Sequence, residues 1–436
     1  MKRVIIIILL MLVSNGCVAQ TPARQGVAPT VLGLLPTSTS FAQPLLVARS
    51  TSHPITWEKQ FDNQGNADIA WDVVETVNQN LVIVGATGPT PCQIGCNWDG
   101  WIIKINPQGE IVWTRQVGGN GADLLTSVIL KGSDYVATGS KYVFPDARQA
   151  WLLEIASDGR VVWEKAFGGN RDDSGTETIA TPDDGFLMVG QTKSFSTQDG
   201  KSDVWLVKLN VKGEVIWTKT YDLGGEDMGT SLAPFQNDRY ILTAVTCTAN
   251  CGGLNQQGYA SYLLIDSNGN ILKSKAFDEG PKNKFLKIKP TRDGGAVIVG
   301  ATSMQDKFPS EDTWIVQLDA NADVTWTRIL NSYGRYDGGF DIVPVPDGGY
   351  VVAAYSQVEQ TSQMNFDNFW MVRLSSTGET LGSRLWGGPD NDDAYSVILT
   401  ADGGIVLAGF RDAVSWPLTA VPGPSNFYVI KTTDVP

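Results

Sequence analysis

The chain is read as an all-β protein, specifically a seven-bladed β-propeller with four-stranded blades whose last blade is closed by the N-terminal strand. Three observations predict this. An aromatic residue followed by an aliphatic run recurs at Trp101, Trp151, Trp205, Tyr262, Trp314, Trp370 and Tyr428, at intervals of 50 to 58 residues. Repeats of about 40–50 residues built from short strands are the signature of propeller blades. Between the repeats stand recurrent turns such as Asp293-Gly294-Gly295, Asp347-Gly348-Gly349 and Asp402-Gly403-Gly404. No stretch after the leader keeps a 3.6-residue apolar period, so helix is expected to be nearly absent.

One repeat shows the elements in order. Gly175 to Thr181 reads as a first strand, Pro182-Asp183-Asp184-Gly185 as a turn, and Phe186 to Thr192 as a second strand. After a longer loop, Asp203 to Leu209 forms a third strand, Asn210 to Gly213 a turn, and Glu214 to Tyr221 a fourth. Each run is rich in β-branched and aromatic residues and bounded by Gly, Pro, Asn or Asp, which supply turn conformations and local backbone hydrogen bonds.

The last repeat has strands near Tyr395–Thr400, Ile405–Phe410 and Asn426–Thr432, and then the chain ends. The missing fourth strand stands at the other terminus, where Ile55 to Phe61 (ITWEKQF) matches Val161 to Phe167 (VVWEKAF). Pairing the two ends removes exposed sheet edges. The ring is thus one domain, residues 54–436. Eleven of the 14 Trp fall into repeat columns and read as blade packing, leaving Trp71, Trp98 and Trp416 outside them.

The N-terminus carries its own signals. Lys2 and Arg3 precede an apolar run from Val4 to Val13 and then Ser14-Asn15-Gly16-Cys17. A basic region, an apolar core and small residues make residues 1–17 a signal peptide, too short to span a membrane. It resembles a bacterial lipoprotein signal, which would make Cys17 the lipidated N-terminus. Ordinary secretion with cleavage after Ala19 is the rival reading. Residues 18–53, rich in Thr, Ser, Ala and Pro, form a flexible tether.

Five cysteines fit this picture. Cys92 with Cys96, and Cys247 with Cys251, make two local pairs in an oxidising compartment, and Cys17 is left for the lipid. Free thiols or a metal site are the alternatives to the disulfides.

The working face is expected where loops vary, on the side shared by blade-to-blade crossings and by the loops between second and third strands. The crossings carry an acidic column: Asp123, Asp172-Asp173, Glu226-Asp227, Asp337 and Asp392-Asp393. These side chains either cap backbone N–H groups in the crossing or gather a Ca²⁺, for which Asp390, Asp392 and Asp393 form the densest candidate. No other cofactor is indicated. Trp98, beside Asp99, and Trp416 lie on long loops of neighbouring blades, and the three are candidate contacts to a sugar or peptide. The bland alternative has both Trp folding back onto their own loops.

Composition limits the chemistry. His53 is the one histidine and falls in the tether, which excludes a His-based triad or His-ligated metal in the ring. A formal charge of −13 opposes nucleic-acid and anionic-lipid binding. The membrane would be reached through the lipid alone, and the domain is expected to be monomeric. The leading expectation is non-catalytic binding of a protein or glycan. The second is a carbohydrate-active enzyme using two Asp or Glu on the same face.

The run from Lys104 to Trp113 (KINPQGEIVW), echoed from Leu209 to Trp217, resembles the tryptophan-bearing repeat of quinoprotein-like propellers. That superfamily includes quinone-dependent dehydrogenases and a lipoprotein that assists outer-membrane barrel assembly. Those relatives have eight blades against the seven counted here, and the dehydrogenases' adjacent Cys-Cys pair is absent, so quinone catalysis is not implied. The chain is also similar to the broad class of bacterial exported propeller repeat lipoproteins, with runs such as Trp205-Leu206-Val207-Lys208-Leu209. That class implies no specific activity.

Overall fold

The computed structural model describes residues 55–89, 97–143, 147–198, 200–247, 258–278, 282–303, 311–331, 336–361, 364–388, 390–413 and 425–433. None of the described residues is helical. They form 28 strands, β1 to β28 in chain order, arranged in four-stranded antiparallel sheets. The first complete sheet runs β2 (Ala67–Glu75), β3 (Leu81–Gly88), β4 (Asp99–Ile105), β5 (Ile111–Val117). Two such four-stranded sets are joined through one parallel bridge, Gly258 to Lys282.

The N-terminal strand, β1 (Ile55–Phe61), pairs with β28 (Asn426–Thr432), which pairs in turn with β27 (Ile405–Ala413) and β26 (Asn391–Leu399). The strand pairing read from the matching termini is therefore present. Two boundaries differ from the sequence reading. β26 begins four residues before Tyr395, so Asp392 and Asp393 lie within a strand rather than in a loop. β10 (Asp173–Ala180) likewise begins two residues before Gly175. In both, acidic residues at the strand start bond turn backbone instead of ending the ladder.

Second and third strands are apolar on both faces because sheets pack against them from both sides. β11 (Phe186–Thr192) and β12 (Asp203–Leu209) are buried along their whole length. Apolar clusters then span adjacent sheets: Phe61, Trp101, Ile103, Phe427 and Val429 join the first sheet to the last.

The outer strands add a clasp. The indole of Trp57 packs on Gly109 of the next sheet, and Trp113 on Gly159, Trp163 on Gly213, Trp217 on Gly269 and Trp326 on Gly378 repeat it. These glycines have φ between 69° and 86°, and a Cβ would meet the indole at 2.6–3.2 Å. Glycine is thus required twice over, by the turn and by the ring lying on it. Trp57 and Trp113 also donate Nε1–H to the Pro107 and Ser157 carbonyls, at 2.9 and 3.1 Å. Where Lys273 replaces Trp, its Nζ reaches the Asn321 carbonyl and Asp323, and the turn holds Ala322 at φ 57°.

A central cavity as the candidate functional site

The first strands of the seven four-stranded sets are β2, β6 (Leu124–Lys131), β10, β14 (Glu226–Phe235), β18 (Lys282–Pro290), β22 (Asp337–Pro344) and β26. Each of these strands carries a register shift within it that leaves one residue unpaired, and β26 has a second shift at its start, between Asn391 and Asp393. The seven bulge residues are Trp71, Thr126, Thr176, Thr230, Leu286, Phe340 and Tyr395. A bulge bends the strand and re-aims its side chain. All seven line one cavity of about 90 Å³, completed by Leu124, Glu177, Met228 and Lys287.

The lining has two arcs. Leu286, Phe340, Tyr395 and Trp71, from four successive sheets, form an apolar wall. Trp71 stacks on Tyr395 with ring centroids 4.6 Å apart and planes 11° from parallel, and Phe340 meets Tyr395 edge-on at 4.4 Å. Thr126, Thr176 and Thr230, from the other three sheets, form a hydroxyl wall. Thr126 Oγ1 donates to the Thr176 carbonyl at 2.8 Å, and Thr230 Oγ1 lies 2.9 Å from Thr243 Oγ1. Thr176 Oγ1 and Trp71 Nε1 are buried and make no hydrogen bond within the protein.

The residue after each bulge points between sheets and is polar. Asp72 accepts the Val128 N–H at 2.9 Å, Glu177 the Leu232 N–H at 3.1 Å, Ser231 the Ile288 N–H at 3.1 Å and Asp341 the Val397 N–H at 3.0 Å. In each case the amide belongs to the first strand of the next sheet. Ser396 Oγ lies 3.0 Å from Asp72 Oδ1 and 3.2 Å from Asp341 Oδ2. Lys287 sits 2.8 Å from Glu177. Burial alone would lower Lys287, but Glu177, Asp72 and Asp341 outweigh it, and its pKa lies above the ordinary lysine value. Burial alone would raise Glu177, yet Lys287 and Lys289 hold it below the ordinary carboxylate value. Asp72 is raised, because its desolvation exceeds the pull of the same two lysines.

Four acids of the column, Asp123, Asp173, Asp227 and Asp392, cap backbone N–H groups, and Asp68 does the same. Asp68, Asp123, Asp173, Asp227 and Asp392 accept the N–H of Asn63, Gly119, Gly169, Leu223 and Gly388, at 2.6–2.9 Å. These five are at most 1% exposed. Burial lifts Asp68 and Asp227 to about 6. Asp393 accepts the Tyr395 hydroxyl at 3.3 Å, and Asp390 is half-buried. Among the described residues, the acids with oxygens within 4.8 Å of one another are Asp203, Asp222 and Asp227. Their oxygens accept hydrogen bonds from Ser196, Thr197, Gln198 and Leu223, while Asp227 Oδ1 is buried without a partner.

Trp98 is 5% exposed and belongs to the apolar cluster with Leu124, Phe340, Tyr355, Tyr395 and Phe410, beside the cavity. Its backbone bridges to Ala122, and its ring lies against Gly88. Asp99 opens β4 and accepts from Gln116 Nε2 at 2.7 Å. Cys247 is buried at the end of β15 (Arg239–Cys247). Cys17, Cys92, Cys96, Cys251, Trp416, the leader and the tether lie outside the described residues. The bulge residues were missed in the sequence, although Trp71 stood out as a first-strand Trp belonging to no column.

No family model and no curated protein matches the chain. Among solved structures it is similar to virginiamycin B lyase from Staphylococcus aureus with quinupristin, at 9% identity and TM-score 0.49, covering 86% of this chain and 99% of that one. The Pan2 WD40 domain of Neurospora crassa gives 11% identity and TM-score 0.48, over 84% and 90% of the two chains. An α-L-arabinofuranosidase from Fusarium graminearum gives 11% and 0.44, over 84% and 94%. At these scores the likenesses decide nothing about activity.

Proposed function

We propose that the chain is a closed seven-bladed β-propeller, exported and anchored through Cys17, that binds a glycan or protein ligand at its long-loop face without catalysis. The carrying observation is the cavity to which all seven first strands contribute, with an aromatic cluster including Trp98 beside it. A pocket with an apolar wall and a few convergent polar groups is the ordinary form of a ligand site. The β1–β28 pairing and the Trp57–Gly109 contact support closure.

Binding is favoured over two-carboxylate hydrolysis because the carboxylate lining the cavity, Glu177, is held ionised by Lys287. A general acid must carry its proton near neutral pH. Trp98, Asp99 and Trp416 remain the proposed long-loop contacts, and Cys92–Cys96 and Cys247–Cys251 the proposed disulfides. A Ca²⁺ at Asp390, Asp392 and Asp393 would have to compete with the Gly388 N–H for Asp392.

A glycan array with the purified chain, followed by a turnover assay on each hit, tests the reading. Binding without turnover is expected, and hydrolysis abolished by Glu177→Gln would overturn it. The anchor is tested separately: Cys17→Ser should release the chain from membranes, whereas a mature N-terminus at Gln20 would exclude lipidation.

A further inference from the structure

The geometry points to the central cavity as a binding site for one neutral sugar ring, taken between the aromatic arc and the threonine arc; this rests on the binding reading above and names its ligand class. Three features specify that chemistry. The first is the division of the lining. Trp71, Tyr395, Phe340 and Leu286 make a continuous apolar wall, and Thr126, Thr176 and Thr230 a continuous hydroxyl wall. A pyranose has this character, with C–H groups on its faces and hydroxyls around its edge. A purely apolar ligand would leave Thr176 Oγ1 and Trp71 Nε1 unpaired, and a fully polar one would waste the aromatic wall.

The second is the pair of buried groups without protein partners, Trp71 Nε1 and Thr176 Oγ1. The indole is a donor only, and the hydroxyl both donates and accepts. Buried polar groups are nearly always satisfied, and leaving one unpaired costs about 1–3 kcal/mol. A sugar hydroxyl can accept from the indole, and another can exchange either kind of hydrogen bond with Thr176. Water could serve both groups as well, since the cavity of about 90 Å³ is several times what one water needs (about 10–15 Å³). What water would not use is the aromatic arc.

The third is charge. The charged side chains in the lining are Glu177 and Lys287, and they face each other at 2.8 Å. An ionised ligand would have to break that pair or be buried without a counter-ion. The site therefore selects an uncharged ring.

The test uses the purified full chain with D-glucose, D-galactose, D-mannose and N-acetyl-D-glucosamine, and with D-glucuronate and D-glucosamine as charged comparators. Calorimetry should show at least one neutral sugar binding, and each charged comparator about tenfold weaker or worse. Trp71→Phe, which removes the N–H and keeps a ring, should weaken binding about fivefold, the equivalent of one hydrogen bond. Thr176→Val should act similarly. Thr176→Val replaces an unpartnered hydroxyl with a methyl of the same shape and should keep or raise the parent melting temperature, which separates lost binding from lost folding; Trp71→Phe, which also trims a ring stacked on Tyr395, should lower it slightly.

The proposal is overturned if none of the four sugars binds at about 10 mM, if D-glucuronate binds as well as the neutral sugars, or if both variants bind like the parent. A protein that binds larger glycans on the array, is weakened by Trp98→Phe and ignores Trp71→Phe would sink the cavity while sparing the long-loop face. Failure of every glycan would sink the cavity proposal and leave the long-loop face to a protein ligand.

Discussion

Neighbouring sheets are joined at the hub and at the rim, and the two joints use opposite chemistry. At the hub, side chains of Asp72, Glu177, Ser231 and Asp341 take amides from the next sheet, inside a buried charged cluster. At the rim, an indole lies on a glycine turn, half in solvent. The hub joint gives direction and register, because a hydrogen bond has one geometry and an unpaired buried charge is costly. The rim joint gives contact area that repeats around the molecule and does not depend on any single member. A break at the hub should therefore be local and severe, and a break at the rim moderate and graded.

Glu177→Gln is the largest expected effect. Glutamine keeps an acceptor for the Leu232 N–H, so the loss is the charge facing Lys287. Removing one member of a buried pair costs about 3–5 kcal/mol, and the lower end applies because Asp72 and Asp341 also face Lys287. Urea unfolding should show a loss of about 3 kcal/mol. Adding Lys287→Met should deepen the loss, because Asp72 and Asp341 then lose a counter-charge they share with Glu177. If the single variant is silent, the hub cluster is solvated and the contrast with the rim fails.

Trp57→Ala comes next and sharpens the rim. Full burial of a Trp would make the change worth about 3–5 kcal/mol, and half-burial brings it to about 2–3. Trp163→Ala, at an internal joint, is its control. Equal losses would mean that the joint between the chain ends is as firm as one within continuous chain. A silent Trp57→Ala beside a costly Trp163→Ala would mean that β1 does not hold the last sheet against the first.

How much of this was legible in the sequence follows from the same contrast. The rim could be read directly, since Trp57, Trp113, Trp163, Trp217 and Trp326 repeat in register, as do their turn glycines. Even its gaps have reasons in the fold. Lys273 stands where an ion pair with Asp323 replaces the stack, and Gly382 stands in β25 (Thr380–Trp386), where the next sheet pairs β28 with β1 and has no turn linking the two. The hub could not be read. Each first strand hides a bulge, and one extra residue inverts which side chains face inward. Trp71, Thr126 and Tyr395 share a position but no chemistry, so no column betrays them. Asp72, Glu177 and Asp341 looked like scattered acids until the bulges aligned them. Asp392, by contrast, was read as capping turn backbone, and it does so from within β26.

Gly109→Ala divides the rim joint into its parts. At φ 77° a side chain is strained by about 1 kcal/mol or more, and the new Cβ would also meet Lys59 Cγ at 2.9 Å and Trp57 Cε3 at 3.2 Å. Gly403, at φ 82° with open space around it, supplies the strain alone. Gly109→Ala should cost about 1–2 kcal/mol and exceed Gly403→Ala. Equal losses in thermal unfolding would mean the indole moves aside freely, and the clasp would be a loose contact.

Lys273→Ala should have the smallest effect, and its size says what the indole contributes elsewhere. Lys273 Nζ lies 2.6 Å from Asp323, but the two side chains are 33% and 66% exposed. Exposed pairs of this kind give about 0–1 kcal/mol and weaken with salt. The loss should therefore be under about 1 kcal/mol in low salt and nearly vanish at about 0.5 M sodium chloride, while the loss from Trp163→Ala should persist. The reason is physical: salt screens the ammonium and the carboxylate, but it does not screen apolar area taken out of water. If Lys273→Ala instead matches Trp163→Ala at high salt, its methylene stem is covering the turn as the indole does, and the rim would be held by packing at that joint too, with the charge incidental.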